Sequence, residues 1–524
     1  MQQPHDNIVN LIFFIRGVEP RFSMDLLGTM ERQLELVANH GLKATFLLQY
    51  DALKDPAFIA ALQKKLPSNC EVGGWLEIVQ PLVERVGLPW RGRYPWDWHS
   101  DVGFSVGYTP EERKRLIDGF MEGFKETLGF YPRSVGSWMI DAVTLDYLAT
   151  AYGVEASCNC RDQWGTDGYT LWGGYYGQAF YPSKVNALCP AQTADKQIPL
   201  PVFRMLGSDP IYQYDLGLST KDGKLCPSDC QHVVTLEPVY YGTGGGGDPR
   251  WVDWYLQENF APGVGFNYTQ AGQENSFGWE GMKAGLEYQF CKLAELEKTG
   301  VLRMETLLES GQWFKAHFPV TPPTSIGAMS DWKNEGRRTL WYESRFYRAN
   351  FYQENGQVWL RDIYTFDETY PERYLTERCT SHQMVYDTLP VIDGNRWSGG
   401  ITRAGLYPMV LDEAGTAHPL TGTLTAEYPA DGQALVRVTG EDGELTVLCT
   451  EDRLHFTYAG SGRLVLELRD GVGALAAVQI EENRLAYTHN GFDYTVELPR
   501  VGDIRRIADG ICLEADGDTV EMAL

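Results

Sequence analysis

The amino-acid sequence predicts an α/β protein in which a (β/α)7-type barrel is followed by a mainly antiparallel β-sandwich. Two observations support the barrel: short apolar segments alternate with amphipathic ones from residue 8 onward, and acidic residues follow many of the apolar segments directly. A third supports the sandwich, because polar and apolar residues alternate after about residue 335. A chain of 524 residues exceeds one ordinary hydrophobic core, so we expect a barrel domain at 1–335 and a β-rich domain at 336–524.

The strands and helices of the barrel follow from periodicity. The run IVNLIFFIR is continuously apolar, as a buried parallel strand is, and SMDLLGTMERQLELVANHG has the three and four spacing of a helix that stops at glycine. The segment TPEERKRLIDGFMEGFKETLG predicts a second long helix. Further strands are predicted at LKATFLLQ, NCEVGGWLEI, YPRSVGSW, GVEASC, IPLPVFRMLG, HVVTLEPVY and GVGFNYTQA. About seven or eight strands can close a barrel. No GxGxxG or GxxxxGK motif follows a strand, so an open nucleotide-binding sheet loses support.

The last part of the chain has the sequence pattern of antiparallel sheets. The stretch TLWYESRFYRANFYQENGQVWLRDIYTF alternates polar and apolar residues. From residue 401 to residue 524, short β segments are broken by DEAG, ADGQ, GEDGE, AGSG and THNG, which are typical turn sequences. This pattern predicts hairpins that pack as a sandwich.

Charge and cysteine content limit the classes of partner. The formal charge of -25 opposes nucleic acid and anionic membranes as partners, and a neutral or weakly charged ligand fits better. The chain starts without a basic leader and has no membrane span, and its ten cysteines are scattered, so we expect reduced thiols in a cytoplasmic protein. The sequence leaves the oligomeric state open. Zinc ligands could come from Cys158, Cys160, Cys226, Cys230 and His232, but their spacing is poor, so we predict no metal and no cofactor.

Six acids stand where apolar segments end. They are Glu19, Glu77, Asp141, Asp209, Glu237 and Glu274. Parallel strands bring their carboxyl ends to one face of a barrel, so these acids are candidates for an active face. The alternative for each is a helix N-cap, or an ion-pair partner for an interior arginine such as Arg16, Arg133 or Arg204.

Aromatic residues cluster in the predicted loops after the same strands. They are Trp90, Tyr94, Trp96, Trp98, Trp164, Tyr169, Trp172, Tyr175, Tyr176, Tyr240, Tyr241, Trp251 and Trp254. Aromatic rings beside carboxylates suit a sugar, which has an apolar face and a rim of hydroxyls, although packing of long loops is the alternative for any one ring. The residues predicted to bind substrate are Arg16, Glu19, Trp75, Glu77, Trp98, His99, Trp138, Trp164, Trp172, Tyr176, Asp209, Glu237, Tyr240 and Trp279.

The order ATFLLQ, CEVGGWLEIVQP and YPRSVGSW is similar to the polysaccharide deacetylase-like barrels. In that superfamily the third strand carries metal-binding histidines and the first strand ends in paired aspartates. Here Trp75 and the neighbourhood of Val79 stand at the histidine positions, and Arg16 to Glu19 follow the first strand. The resemblance therefore implies the barrel but not the water-activating metal of a deacetylase.

A related group, glycoside hydrolase family 57, resembles residues 8 to about 300 loosely. The stretch GSWMIDAVTLDYLATAYGVEAS has the layout of its nucleophile region, with Asp141 at the nucleophile position. RGVEP is a distant counterpart of its first motif, and QENSFGWEG resembles its acid/base motif. The acidic position of that last motif falls on Gln273, and Glu274 is one residue along.

These features predict a retaining glycoside hydrolase or transglycosidase that acts on a carbohydrate through two carboxyl groups. Asp141 is the predicted nucleophile and Glu274 the predicted acid, with carboxyls about 5 to 5.5 Å apart. The aromatic loops at 90–98 and 164–176 are expected to wall the pocket that holds Asp141. Two alternatives stay open: a metal-dependent deacetylase or mannosidase-like enzyme with unusual ligands such as His99, and a sugar-binding protein without catalysis.

Overall fold

The structure is a computed structural model, and it describes residues 6–166, 169–212, 218–221, 224–227 and 234–524. Within 164–170, 213–223 and 226–233, most side chains lie outside this description.

The first part of the described chain forms one curved sheet of parallel strands. These strands are β1 (Asn7–Ile15), β2 (Thr45–Leu48), β3 (Glu71–Trp75), β4 (Ser134–Gly136), β5 (Ala156–Cys160), β6 (Val202–Met205) and β7 (Asn267–Ala271). Their order in the sheet is β7, β1, β2, β3, β4, β5 and β6. The short strand Arg303–Glu305 also pairs with β1, and Ala179–Phe180 pairs antiparallel with β6. The sheet is a nearly closed barrel, which confirms the predicted fold class.

Helices cover the outside of this sheet. They are α1 (Leu26–His40), α2 (Tyr50–Lys54), α3 (Pro56–Lys65), α4 (Gln80–Arg85), α5 (Ser100–Gly103), α6 (Pro110–Leu128), α7 (Ala142–Tyr152), α8 (Pro249–Asn259), α9 (Trp279–Lys298) and α10 (Leu307–His317). Helix α6 shows why the sequence places them so: Thr109 and Glu112 form a capping box, and Gly129 ends the helix with φ of 85°.

Strand β1 is apolar on both of its faces, as a strand between barrel interior and helices must be. One face packs with the helices, and the other packs in the barrel interior. Inside, Phe14 contacts Trp75 with ring centroids 4.2 Å apart, and Trp75 meets Trp138 edge to face at 5.2 Å. Side chains alternate along a strand, so Arg16 follows Phe14 on the inner face. The strand thus delivers Arg16 to the mouth of the barrel.

One predicted strand is wrong in its described part. HVVTLEPVY was expected to pair in the sheet, but residues 234–239 form a loop. Its backbone instead bonds the loop after β6: Asp209 donates to the Val234 carbonyl at 2.9 Å, and Leu236 donates to the Gly207 carbonyl at 2.9 Å. The place beside β6 is taken by Ala179–Phe180.

Trp251 and Trp254, predicted in a loop, lie on α8, which starts at Pro249 after the N-cap Asp248.

Short strands fill the connections between β5 and β7. They are Gln163–Thr166, Tyr169–Leu171, Pro182–Ser183, Asn186–Pro190, Leu218–Lys221 and Lys224–Pro227. None of the described helices combines the length and the apolar content that crossing a membrane requires.

Two antiparallel sheets follow the barrel. The first contains Thr324–Ala328, Arg338–Glu343, Tyr347–Glu354, Gln357–Thr365, Leu389–Asp393, Gly405–Leu411, Ala417–Pro419, Arg463–Arg469, Asp503–Ile507 and Gly510–Glu514. The second contains Thr423–Glu427, Ala434–Thr439, Gly443–Cys449, Arg453–Gly460, Gln479–Ile480, Arg484–His489, Phe492–Arg500 and Thr519–Ala523. Both sheets contribute to one hydrophobic cluster, as in a sandwich. The division at residue 335 stays a prediction.

Glu343 is fully buried at the end of the strand Arg338–Glu343. Its carboxyl accepts a hydrogen bond from the Thr324 hydroxyl at 3.3 Å. Burial raises the pKa of Glu343 to about 8, although the charges of Arg161 and Arg348 oppose this shift. The folded protein therefore favours the neutral carboxyl at this position.

We predict that Glu343→Gln removes a pH-dependent loss of stability. A carboxyl with a raised pKa in the folded state stabilises the fold below its unfolded pKa and loses this contribution as pH rises through about 8. Relative to the wild type, the variant should gain on the order of a few kcal/mol in unfolding free energy between pH 5 and pH 9. Urea titrations at both pH values measure this difference, and a relative gain by the wild type would contradict the raised pKa.

Candidate active site

Arg16 lies at the carboxyl end of β1 and is 1% exposed. Its guanidinium binds Glu77, which follows β3, through two hydrogen bonds: Nε to Oε2 at 3.1 Å and Nη2 to Oε1 at 2.9 Å. The Asn275 side-chain oxygen accepts a hydrogen bond from the Arg16 backbone N–H, and its amide nitrogen donates one to the Arg16 carbonyl, at 2.9 Å each. This ties the end of β1 to the loop after β7 and fixes the guanidinium in place.

Two further carboxyls contact the same guanidinium. Nη1 lies 3.3 Å from Glu274 Oε1 and 3.4 Å from Glu19 Oε2, and Nη2 lies 3.2 Å from Glu274 Oε2. We call Arg16, Glu19, Glu77 and Glu274 the Arg16 cluster. Its acids come from the ends of three different barrel strands, so the structure brings together three of the six predicted strand-end acids.

Aromatic side chains cover this cluster. The Trp96 ring lies 4.1 Å from the Arg16 guanidinium carbon, close enough for a cation–π contact. Arg21 forms a fork on Glu19, with Nε and Nη2 donating at 2.9 and 2.8 Å, and its guanidinium lies 5.2 Å from the Trp98 ring. The aromatic loop after β3 therefore lies over the strand ends of the Arg16 cluster.

The buried acids of this region have shifted pKa values. Burial raises the pKa of Glu77 to about 7, opposed by Arg16, and Gln49 donates to its Oε2 at 2.7 Å. Burial would also raise the pKa of Glu19, but hydrogen bonds from Arg21 outweigh it and lower the value. Burial lowers the pKa of Arg16, but Glu274 and Glu77 raise it well above its usual range. The guanidinium stays charged, while Glu77 retains its proton to near neutral pH.

Asp141 has a different set of partners. It caps α7 by accepting from the Thr144 backbone at 3.0 Å and the Thr144 hydroxyl at 2.8 Å. Ser105 donates to it at 2.5 Å, and the buried Arg113 donates at 2.9 Å. It lines a cavity of about 20 Å³ with Glu372, whose pKa is raised to about 8 by burial and by the charge of Asp141. The pairing of Asp141 with Glu274 stays a prediction.

Two predicted acids have bonds that order loops. Glu237 accepts from the Thr235 hydroxyl at 2.8 Å and from Gln273 Nε2 at 2.7 Å. The side-chain oxygen of Gln273 accepts a hydrogen bond from the Glu274 backbone N–H at 2.8 Å. Gln273 therefore links Glu237 to Glu274, which belongs to the Arg16 cluster. Asp209 accepts from the backbone of residues 211 and 212 and from the Trp251 indole at 2.9 Å, which holds the turn after β6.

The other predicted substrate-binding residues are spread over the molecule. Trp75 and Trp138 fill the barrel interior, Trp172 donates to Asp393 at 3.0 Å, and Tyr176 stacks on Trp341 at 3.8 Å. Trp279 lines an open groove of about 640 Å³ between α1 and α9. His99 stacks on His382 at 3.9 Å, Tyr240 lies in the loop before α8, and the Trp164 side chain falls outside the described part.

Sequence reasoning missed several contributors to this site. Gln49 follows β2 directly and bonds Glu77, and Ser276 donates to Glu274 at 2.7 Å. The position of Gln49 directly after β2 is a signal that the sequence contains, because polar side chains at the ends of parallel strands converge as acids do. Arg21 and Ser276 lie in loops, and no sequence pattern indicates which way a loop side chain points.

The metal site of a deacetylase does not fit the residues present. A guanidinium already binds the carboxyls at the ends of β1, β3 and β7, and Trp75 and Val79 are fully buried apolar side chains. His99, Asp101 and His382 offer ligand atoms within 4.8 Å of one another. The two rings are stacked at 18°, so their in-plane lone pairs do not converge on one point. Cys158 and Cys160 are buried, Gln163 donates to Cys160 Sγ at 3.3 Å, and the zinc-ligand partners predicted for these cysteines lie outside the described side chains.

The fold has counterparts among solved structures. A glycoside hydrolase/deacetylase-type protein from Parabacteroides distasonis aligns with 72% of this chain and 88% of its own, at 17% identity and a TM-score of 0.52. Polysaccharide deacetylase-type proteins from Mycobacterium smegmatis and Pseudomonas aeruginosa align with 60% of this chain and with 92% and 96% of their own. Both are 12% identical, with TM-scores of 0.36. No family model and no curated protein matches the sequence. The fold of this chain is similar to that of the Parabacteroides distasonis protein.

We predict that Arg16→Met destabilises the protein strongly at high pH. Three carboxyls would lose their shared cation, and removal of one partner from a buried ion pair costs about 3 to 5 kcal/mol. The loss should be smaller at pH 5, where Glu77 is protonated. Urea unfolding at pH 5 and pH 8 measures it, with Arg32→Met as the control because that arginine side chain is 60% exposed. An equal loss at both pH values would indicate lost packing rather than lost charge.

Asp141→Asn should lower the unfolding free energy by about 3 to 5 kcal/mol, because the buried Arg113 would lose its anion. Thermal unfolding measures the stability, and activity per folded molecule then tests the predicted nucleophile. Abolished turnover in the folded fraction would support the pairing of Asp141 with Glu274. Retained turnover would leave Asp141 with a structural role.

Proposed function

We propose that this protein is a carbohydrate-active hydrolase that cleaves a glycosidic bond through carboxyl groups of the Arg16 cluster. One observation carries the proposal: two acids from different strand ends, Glu77 and Glu274, contact the same guanidinium at the barrel mouth, beneath aromatic side chains. Barrels of parallel strands bind ligands at this face. Glycosidases need two such carboxyls, one to donate a proton and one to stabilise or attack the sugar carbon.

The roles follow from burial and charge. Glu77 is fully buried and retains a proton to about pH 7, which suits the donor. The Glu274 side chain is the most exposed of the three acids, at 6% against 1% for Glu19 and 0% for Glu77. It faces the sugar as the carboxylate, with Arg16 beside it.

The spacing of the pair supports retention of stereochemistry. Glu77 and Glu274 each place an oxygen on Arg16 Nη2, at 2.9 and 3.2 Å. These oxygens cannot be farther apart than the two contacts laid end to end. The summed length of the two contacts is below the roughly 6.5 Å at which the inverting range begins, which favours the shorter spacing of retaining enzymes.

A sugar-binding protein without catalysis is the second candidate. It is favoured by the number of bonds on the acids, since Glu77 accepts two hydrogen bonds from Arg16 and one from Gln49. Such a protein would bind sugars with no turnover of any glycoside. Sugar titration by calorimetry together with an aryl glycoside screen separates the two candidates.

We predict opposite leaving-group behaviour for two isosteric variants. Glu77→Gln removes the proton donor, so kcat/KM should fall about 10²- to 10⁴-fold for alkyl glycosides, which need protonation, and far less for activated aryl glycosides. Glu274→Gln removes the carboxylate, so both substrate classes should lose activity. Steady-state kinetics on matched substrate pairs measures this contrast.

Glu280→Gln is the matched control, because Glu280 is exposed in the first turn of α9. An aryl-specific rescue of Glu274→Gln instead of Glu77→Gln would assign the donor to Glu274, as the sequence predicts. Unchanged kinetics in both variants would refute a role for the Arg16 cluster in catalysis.

A further inference from the structure

Two more arginines are buried on strands other than those that carry the Arg16 cluster. Arg161 follows Cys160, the last residue of β5, and Arg204 lies on β6, where it pairs in register with Asn159. Each is 1% exposed. Arginine is seldom buried unless a partner neutralises it, so the partners of these two decide what they do.

The guanidinium groups of this pair are poorly satisfied. Within the described part of the chain, Nε, Nη1 and Nη2 of Arg161 make no hydrogen bond of good geometry, and the Tyr255 hydroxyl is a neighbouring polar group. Nε and Nη2 of Arg204 also make no such bond there, and its Nη1 donates to Asn159 Oδ1 at 2.7 Å. Arg204 Nη2 forms an ion pair with Asp162 Oδ1 at 3.6 Å, which is too long for a hydrogen bond. Among the residues that the structure describes, five nitrogens of this arginine pair are therefore buried without a hydrogen-bond acceptor.

The nearby acids are shared between arginines or largely neutral. Asp162 accepts from Arg348 at 2.7 Å and from the Gly173 backbone at 3.1 Å. Arg348 also pairs with Asp362 at 2.6 Å. Glu343 faces Arg161, Arg204 and Arg348, but its raised pKa of about 8 leaves it largely uncharged at neutral pH. Arg161 has no ion-pair partner within the described part of the chain, and Arg204 shares Asp162 with Arg348, so the acids balance the charge of this arginine pair only in part.

Aromatic contacts offset part of this cost. The Tyr176 ring lies 5.8 Å from the Arg161 guanidinium carbon, and the buried Tyr268 hydroxyl also has no hydrogen-bond partner in the described region. A buried unpaired cation costs several kcal/mol, far more than one cation–π contact returns. Water could accept the hydrogen bonds but would leave the charge in place. An anion supplies both the acceptors and the charge.

We infer that Arg161 and Arg204 bind an oxyanion, the carboxylate, sulfate or phosphate group of an acidic sugar. The planar fork of a guanidinium matches two oxygens of such a group. Tyr268 adds a hydroxyl donor to the same region. The inference goes beyond the proposed hydrolysis, because it names the charge of the ligand and is tested by binding alone.

The test compares wild type, Arg161→Met, Arg161→Lys and Arg204→Gln by thermal shift and calorimetry. Probes are glucuronate, sodium sulfate and inorganic phosphate, with glucose and sodium chloride at equal ionic strength as references. The wild type should gain several degrees in Tm with an oxyanion and none with the references. The oxyanion with the largest shift identifies the source of the group.

The variants separate binding from structure. Arg161→Met should lose the oxyanion shift and, without oxyanion, should be at least as stable as the wild type, since it removes an unbalanced charge. Arg161→Lys keeps the charge and should retain a weaker shift, and Arg204→Gln should weaken binding at least tenfold. Arg32→Met, an exposed change of equal charge, should behave as wild type.

Two results would overturn the inference: a wild type that responds no more to oxyanions than to chloride, or an Arg161→Met protein that keeps the full response. If the wild type shows no response to oxyanions and Arg161→Met lowers the stability, Arg161 has a structural role. Binding without turnover of any glycoside would uphold the oxyanion site while refuting the proposed hydrolysis. Turnover of a glycoside without oxyanion binding would uphold the proposed hydrolysis and refute the oxyanion site.

Discussion

A single buried guanidinium organises the mouth of this barrel. Arg16 binds Glu77 through a fork of two hydrogen bonds and also contacts Glu19 and Glu274. Three buried carboxyls could not share this space without a cation, because like charges at low dielectric repel and burial alone disfavours each anion. The Trp96 ring lies over this guanidinium, and Asn275 holds the Arg16 backbone through its N–H and its carbonyl.

A guanidinium differs from a divalent metal in the chemistry it permits. A metal can bind water, lower its pKa and act as a Lewis acid, whereas arginine offers only fixed donors and a permanent positive charge. At the strand ends of this barrel the bonds that a metal would make are made by Arg16. What remains available is proton transfer by a buried acid, beside a carboxylate that Arg16 holds in place. This is why the proposed function rests on Glu77 and Glu274 and not on activated water.

Much of the fold could be predicted from the sequence because strong local patterns decide it. The apolar run of β1 and the capping box and terminal glycine of α6 specify their elements locally. HVVTLEPVY has equally good strand composition, but the antiparallel segment Ala179–Phe180 occupies the edge that it would need. That competition is tertiary and leaves no mark in the segment itself.

Part of the candidate site could be predicted, because the carboxyl ends of parallel strands converge on one face of a barrel. That rule found Glu19, Glu77 and Glu274, yet it applies equally to Asp141 and Asp209, whose bonds cap a helix and hold a turn. Position cannot distinguish a capping carboxylate from one that reacts. Net charge is a property of the whole chain: the value of -25 favours a neutral ligand, but it carries no information about two buried arginines such as Arg161 and Arg204, on which the inferred oxyanion site rests.

The most direct test is anomalous diffraction from crystals soaked in cobalt or zinc. If Arg16 is the cation of the barrel mouth, the guanidinium should stay bonded to Glu77 and Glu274, with no anomalous peak between those carboxyls. A metal peak at bonding distance from Glu77 or Glu274, with Arg16 displaced, would contradict the account.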